Sequence, residues 1–69
     1  MLKLTLKACR VNVNATAAEM AKAVGVSEDT VYNWENGKYV PTYKNMQRIV
    51  AFFASKNFPI ALDDINFLS

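Results

Sequence analysis

Few side chains in this chain could do chemistry, and they exclude most kinds of it. The 69 residues contain no histidine and a single cysteine, Cys9. A finger-type zinc site and a histidine-based hydrolytic triad are therefore both out of reach. Gly25 and Gly37 are the only glycines, so there is no Gly-rich phosphate loop. No hydroxyl or thiol is paired with a base, and the carboxylates of Asp63 and Asp64 read as a helix-terminus pair. Neither an enzyme, a metal nor a cofactor is expected. What remains is hydrogen bonding and charge. Glu28, Asp29, Thr30 and Asn33 place two carboxylates, a hydroxyl and an amide within one short stretch. Carboxylates accept, a hydroxyl donates or accepts, and an amide does both side by side. Lys38 and Lys44 add positive charge on either side of Pro41.

These groups must be positioned by short helices. Thr5 can N-cap a first helix reaching about Val11, with Leu6, Cys9 and Val13 as its apolar stripe and Asn12 and Asn14 after it. Thr16 and Glu19 form a capping box ahead of an alanine-rich helix that reaches Val24, and Gly25 stops it. Ser27 caps a third helix. Glu28 and Asp29 lie in its first turn, where the helix dipole favours negative charge, and Val31 and Trp34 form its inner face. Gly37 and Pro41 break the chain. Thr42 caps a fourth helix from Tyr43 to about Ser55, with Met46, Ile49, Phe52 and Phe53 inward. Past Pro59, the tail from Leu62 to Phe67 is expected to make a last helical turn. Only Leu2 to Leu6 alternates with period two, so the fold reads as all-α: one domain, residues 1–69, built as a compact bundle of about five short helices.

Composition agrees with a folded domain. Hydrophobic residues make up 52% and charged residues 20%, a balance that excludes intrinsic disorder. One cysteine allows no internal disulfide, so stability must come from helix packing. The longest apolar run, Ile49 to Ala54, is too short to span a membrane, and the N-terminus has no apolar core of a signal peptide. A small soluble protein of the cell interior is expected. The net charge is +2, with eight basic and six acidic residues. Asp63 and Asp64 lie at the far end, so the rest of the chain is the more basic part. Phe58, Ile60, Phe67 and Leu68 are too apolar for a free tail; they either close the core or form a dimer patch.

Two capped helices joined by a very short turn at Gly25 make a helix-turn-helix signature over residues 16–36. A short turn sets the helices at a steep angle, and the second can then enter a major groove ~12 Å wide. The stretch T-A-A-E-M-A-K-A-V-G-V-S-E-D-T-V-Y-N-W-E-N-G, Thr16 to Gly37, resembles the Cro/repressor-type (Xre-like) helix-turn-helix family. The W-E-N-G ending before Pro41 supports this, as do the opening L-T-L-K-A-x-R-V-N and the closing D-D-I-N-F-L, which look like small phage or prophage regulators.

The resemblance implies five helices and sequence-specific binding of double-stranded DNA by a transcriptional regulator in the cytoplasm of a bacterium or a phage-infected bacterium. It implies that Arg10 and Glu35 form a buried ion pair. It puts Glu28, Asp29, Thr30 and Asn33 at base-contacting positions of a recognition helix over residues 28–36. Asn36, Lys38, Tyr43 and Lys44 fall where the family touches phosphates. Two features depart from the family pattern. Ala17 stands where a glutamine commonly contacts a phosphate and braces the recognition helix. The link over residues 54–61 is also longer than usual.

The residues leave alternatives open. Glu28 and Asp29 either accept from a cytosine amino group or serve only the helix dipole. Thr30 suits a thymine methyl or a phosphate. The Asn33 amide matches adenine and sits opposite the inner face. Tyr32 is a packing residue or a flanking contact. Lys22, Arg48 and Lys56 read as solubility residues, and Cys9 as a small core residue. A lone domain makes few base contacts, so a homodimer on a two-fold operator is expected. The chain's end suggests no appended dimerisation or self-cleavage domain. A protein-interaction module, antitoxin-like and with weak or lost DNA binding, is the competing function. Salt-dependent DNA binding separates the two.

Overall fold

Each of the four α-helices among the described residues begins at a hydroxyl. The computed structural model describes residues 4–67. Helix α1 (Leu6–Asn12), α2 (Ala17–Val24), α3 (Glu28–Glu35) and α4 (Tyr43–Ser55) are capped by Thr5, Thr16, Ser27 and Thr42. Their side-chain oxygens accept from the backbone N–H of Ala8, Glu19, Thr30 and Asn45 at 3.1, 3.0, 3.2 and 3.3 Å. Such a cap satisfies one of the N–H groups that a helix start leaves without a partner, and is worth about 1 kcal/mol.

The expected fifth helix is absent from the described residues. The tail makes only a short 3-10 turn, Leu62–Asp64, and then extends. Strand β1 (Leu4–Thr5) and strand β2 (Ile65–Asn66) pair in parallel, with Leu4 opposite Ile65 and Thr5 opposite Asn66. The fold is thus mostly helical with one small strand pair, rather than all-α with five helices. The reason lies in side-chain period. Ile65 and Phe67 are both buried, two residues apart, which an extended backbone allows and a helix does not. The alternation near the N-terminus was the matching strand signal.

The core lies where all four helices meet. Leu6 and Cys9 enter from α1, Met20, Ala21 and Val24 from α2, Val31 and Trp34 from α3, and Ile49, Phe52 and Phe53 from α4. Burial pushes the Cys9 thiol above its ordinary pKa, and the residue packs as a small hydrophobe. The long link after α4 folds back onto this core. Phe58 meets Phe53 edge-on at 6.0 Å, Ile60 is half-buried, and Phe67 is buried. These three residues close the core, while Leu68 lies outside the described residues.

The turn between α2 and α3 is set by Gly25 at φ 89°. Its N–H and that of Val26 both donate to Ala21 O, at 2.8 and 2.9 Å. Arg48 on α4 secures the same end: its Nη1 donates to Val24 O at 3.2 Å. A cation at a helix C-terminus also complements the helix dipole. Arg48 is therefore a cap for α2 rather than a solubility residue. A Cβ at position 25 would meet Arg48 Nη1 at an ordinary 3.6 Å. The expected penalty of Gly25→Ala is thus backbone strain alone, ~1–2 kcal/mol, and Gly25→Asn should lose less. Urea denaturation of the two variants checks this.

Glu19 works twice at the other end of α2. One carboxylate oxygen accepts from Thr16 N at 3.3 Å, and the other meets Lys56 Nζ at 3.0 Å. The Lys56 hydrogen bond, then that to Thr16, holds this carboxyl below its ordinary value of 4.5. The folded pKa is depressed, so the stabilisation is full above pH 4.5 and is lost as pH falls through the depressed value. Glu19→Gln should be less stable than the native chain at neutral pH, and the difference should close on acidification. Thermal melts across pH 2 to 7 (a range spanning ~2.5 units either side of the carboxylate region) read this out.

Candidate nucleic-acid interface

The placement of α3 depends on a charge pair. Arg10 in the last turn of α1 donates from Nε to Glu35 Oε2 at 2.6 Å and from Nη2 to Oε1 at 3.1 Å. Its Nη1 donates to Ala15 O at 3.0 Å. The two side chains are 12% and 3% exposed. Hydrogen bonding to Glu35 raises the Arg10 pKa, so the guanidinium stays charged. One side chain thus joins α1, the α1–α2 loop and the last residue of α3. The fork of donors on arginine suits this bidentate geometry, which a lysine could not reproduce.

On α3, Val31 and Trp34 face the core and leave a polar outer face. Glu28, Asp29 and Tyr32 are exposed; Thr30 and Asn33 are half-buried. The Thr30 hydroxyl lies 2.8 Å from the Ser27 hydroxyl, so it is tied to the helix cap with its methyl left for apolar contact. The Asn33 carbonyl accepts from Lys38 N at 2.9 Å and anchors the turn after α3. Its side-chain amide has no protein partner among the described residues. Asn36 caps the helix, and Gly37 at φ 76° turns the chain away. Lys38 is exposed, with its amine 5.7 Å from the Tyr39 ring. Tyr43 and Lys44 are exposed on the first turn of α4.

A groove of about 640 Å³ is lined by the end of α1, the loop after it, the start of α2 and the outer face of α3. Thr16, Ala17 and Ala18 contribute from the start of α2, and Glu28 and Tyr32 from α3. Ala17 is buried and brings no polar group to it. Within α3 the Tyr32 hydroxyl donates to Glu28 Oε2 at 3.2 Å. That hydrogen bond, and the negative charge behind it, raise the Tyr32 phenol pKa. Sequence reasoning missed this contact, although the i, i+4 spacing was its signal. It also missed the Ala15 carbonyl on Arg10 and the Arg48 cap, which have no local signal.

Two short helices at a capped glycine turn, the second with an outward polar face, define a helix-turn-helix domain. The chain belongs to the helix-turn-helix family of Cro/repressor (Xre-like) type: residues 6–56 match the family model described as Helix-turn-helix. It is similar to an uncharacterised HTH-type transcriptional regulator of Methanocaldococcus jannaschii, 38% identical over 64 residues, covering 93% of this chain and 89% of that one. A second protein of the same description, from Archaeoglobus fulgidus, is 36% identical over 55 residues, covering 80% and 78%. No solved structure gives a significant match. No helix of the described residues is long and apolar enough to cross a membrane.

The ion pair makes a direct test. Arg10→Ala leaves Glu35 charged and almost wholly buried, and should cost ~3–5 kcal/mol. The paired change Arg10→Met with Glu35→Leu removes both charges and should recover most of that loss. Chemical denaturation of both variants measures the difference; equal losses would mean that shape rather than charge sets the requirement.

Proposed function

We propose that this protein is a sequence-specific transcriptional regulator of the small phage or prophage type, placing α3 in the major groove of double-stranded DNA. The observation that carries the reading is the outer face of α3. Its polar residues lie outside the buried core, and they stand on a helix fixed from α1 through Arg10. Family membership and the naming of both relatives as transcriptional regulators support it.

In this reading Glu28, Asp29, Thr30 and Asn33 meet base edges. The Asn33 side-chain amide, which has no protein partner among the described residues, pairs with adenine N6 and N7. Asn36, Lys38, Tyr43 and Lys44 meet phosphates and set the register, which carries no sequence information itself. Two copies bind a two-fold operator with half-sites ~34–36 Å apart, one turn of DNA. The protein acts in the cytoplasm, where that DNA is.

A protein-interaction module is the second reading. It is favoured by the apolar Ala17, the two carboxylates leading α3 and the exposed Tyr39, Val40 and Tyr43. Fluorescence anisotropy decides between them, using duplex DNA from upstream of the protein's own gene, a shuffled duplex, and two salt concentrations. The regulator reading expects tighter, salt-sensitive binding to the native duplex. Equal, feeble binding to both overturns it and favours the interaction module. On the operator, Asn33→Ala should lose ~1–3 kcal/mol and relax the choice of base at one position. Lys38→Ala should weaken all sequences alike and lower the salt slope by about one.

A further inference from the structure

Glu28 and Asp29 are neighbouring carboxylates in the first turn of α3, and the structure treats them differently. Asp29 is exposed and makes no side-chain hydrogen bond among the described residues. Glu28 is held by the Tyr32 hydroxyl through Oε2, at 3.2 Å. The bond runs from i+4 back to i along the outer face of a single helix, and both residues are exposed. It lies within one helix and joins no two elements.

Its effect falls on Glu28. A glutamate side chain has several free torsions, and a contact made by a free one must first order them. A carboxylate already held in place avoids that cost at the moment of contact. Oε1 has no partner among the described residues and remains open as an acceptor. Among the described residues no cation forms an ion pair with the group. Arg10, which lines the same groove, is committed to Glu35 and to Ala15 O. Tyr32 also keeps its proton through the physiological range, because Glu28 raises its pKa.

We propose that Tyr32 is a positioning residue that holds Glu28 with Oε1 presented to a cytosine amino group at the base pair facing the first turn of α3. The choice of cytosine follows from the base edges. A carboxylate only accepts, and cytosine N4 offers a donor in the major groove. Adenine also offers an amino group, but its N7 acceptor lies beside it and faces the carboxylate. Guanine N7 and O6 and thymine O4 are acceptors and repel it. This inference rests on the DNA-binding reading above.

The test is selection of binding sites from a randomised duplex pool, followed by affinity measurements on single-base variants of the selected site. The proteins are the native chain, Tyr32→Phe, Glu28→Ala, Glu28→Gln and the double variant of Tyr32→Phe with Glu28→Ala, each checked for folding by thermal melting. The native chain should select cytosine at one position per half-site. Glu28→Ala should lose that preference about ten-fold or more and leave the other positions intact. Glu28→Gln should move the preference toward adenine. Tyr32→Phe should weaken the cytosine preference by roughly two- to ten-fold, the worth of one hydrogen bond. In the Glu28→Ala background it should do nothing further.

Three outcomes overturn the proposal while the DNA-binding reading stands. The first is a selected site whose bases are indifferent to Glu28→Ala. The second is a full cytosine preference in folded Tyr32→Phe. The third is an equal loss from Tyr32→Phe with and without Glu28, which would make Tyr32 a contact in its own right. A native chain that selects no sequence at all overturns both.

Discussion

The contact between Arg10 and Glu35 is the constraint on which the rest of this small structure depends. It joins the end of α1 to the end of α3, and through the Ala15 carbonyl it also holds the loop that leads into α2. Apolar packing alone is non-directional and tolerates small rotations of a helix. A bidentate, nearly dry pair does not tolerate them, because a shift that lengthens one hydrogen bond strands a buried charge. The ion pair therefore adds definition to a core that hydrophobic burial stabilises. In a helix of eight residues, that definition decides which side chains point outward.

A second level of control comes from the helix ends. Four hydroxyl caps and one left-handed glycine set where each helix begins and where α2 stops. With so short a link from Gly25 to Ser27, the angle between α2 and α3 has little freedom. Arg48 reaches across from α4 to the last turn of α2, and Lys56 reaches across to the first. Helix α4 thus grips α2 at both ends, while Ile49, Phe52 and Phe53 fill the space between. No disulfide takes part, in keeping with the single buried cysteine.

The features legible in the sequence are the local ones. A cap joins residues three apart, so Thr16 with Glu19 and Ser27 ahead of Glu28 announce helix starts without knowledge of the fold. Gly25 is legible because few other residues accept its backbone angle. The inward faces of α3 and α4 follow from helical spacing. The features that were not legible depend on distant partners. The strand pair needs Leu4 beside Ile65, and neither two-residue segment is a strand on its own. Arg48 looks like any exposed arginine until the carbonyl end of α2 is placed against it. For the outer face of α3, the residue types were legible, yet the difference between Glu28 and Asp29 was not. It depends on a phenol one turn away whose rotamer only the packed helix reveals.

The ladder between β1 and β2 ties together segments from either end of the described residues, and this bears on how the protein folds and frays. Contacts so far apart in sequence carry a large loop-closure cost, and two residue pairs return little against it. The helices, whose contacts are more local, must draw the ends together before the ladder can close. A ladder so placed is expected to form late and to open early. Opening it bares Ile65 and Phe67 on one side and loosens the cap residue Thr5 on the other. Amide protons there should exchange through a shallow, sub-global opening, while those of α2 and α4 wait for the whole domain to unfold. Leu4–Thr5 and Ile65–Asn66 thus form one small cooperative unit, although most of the described residues lie between them.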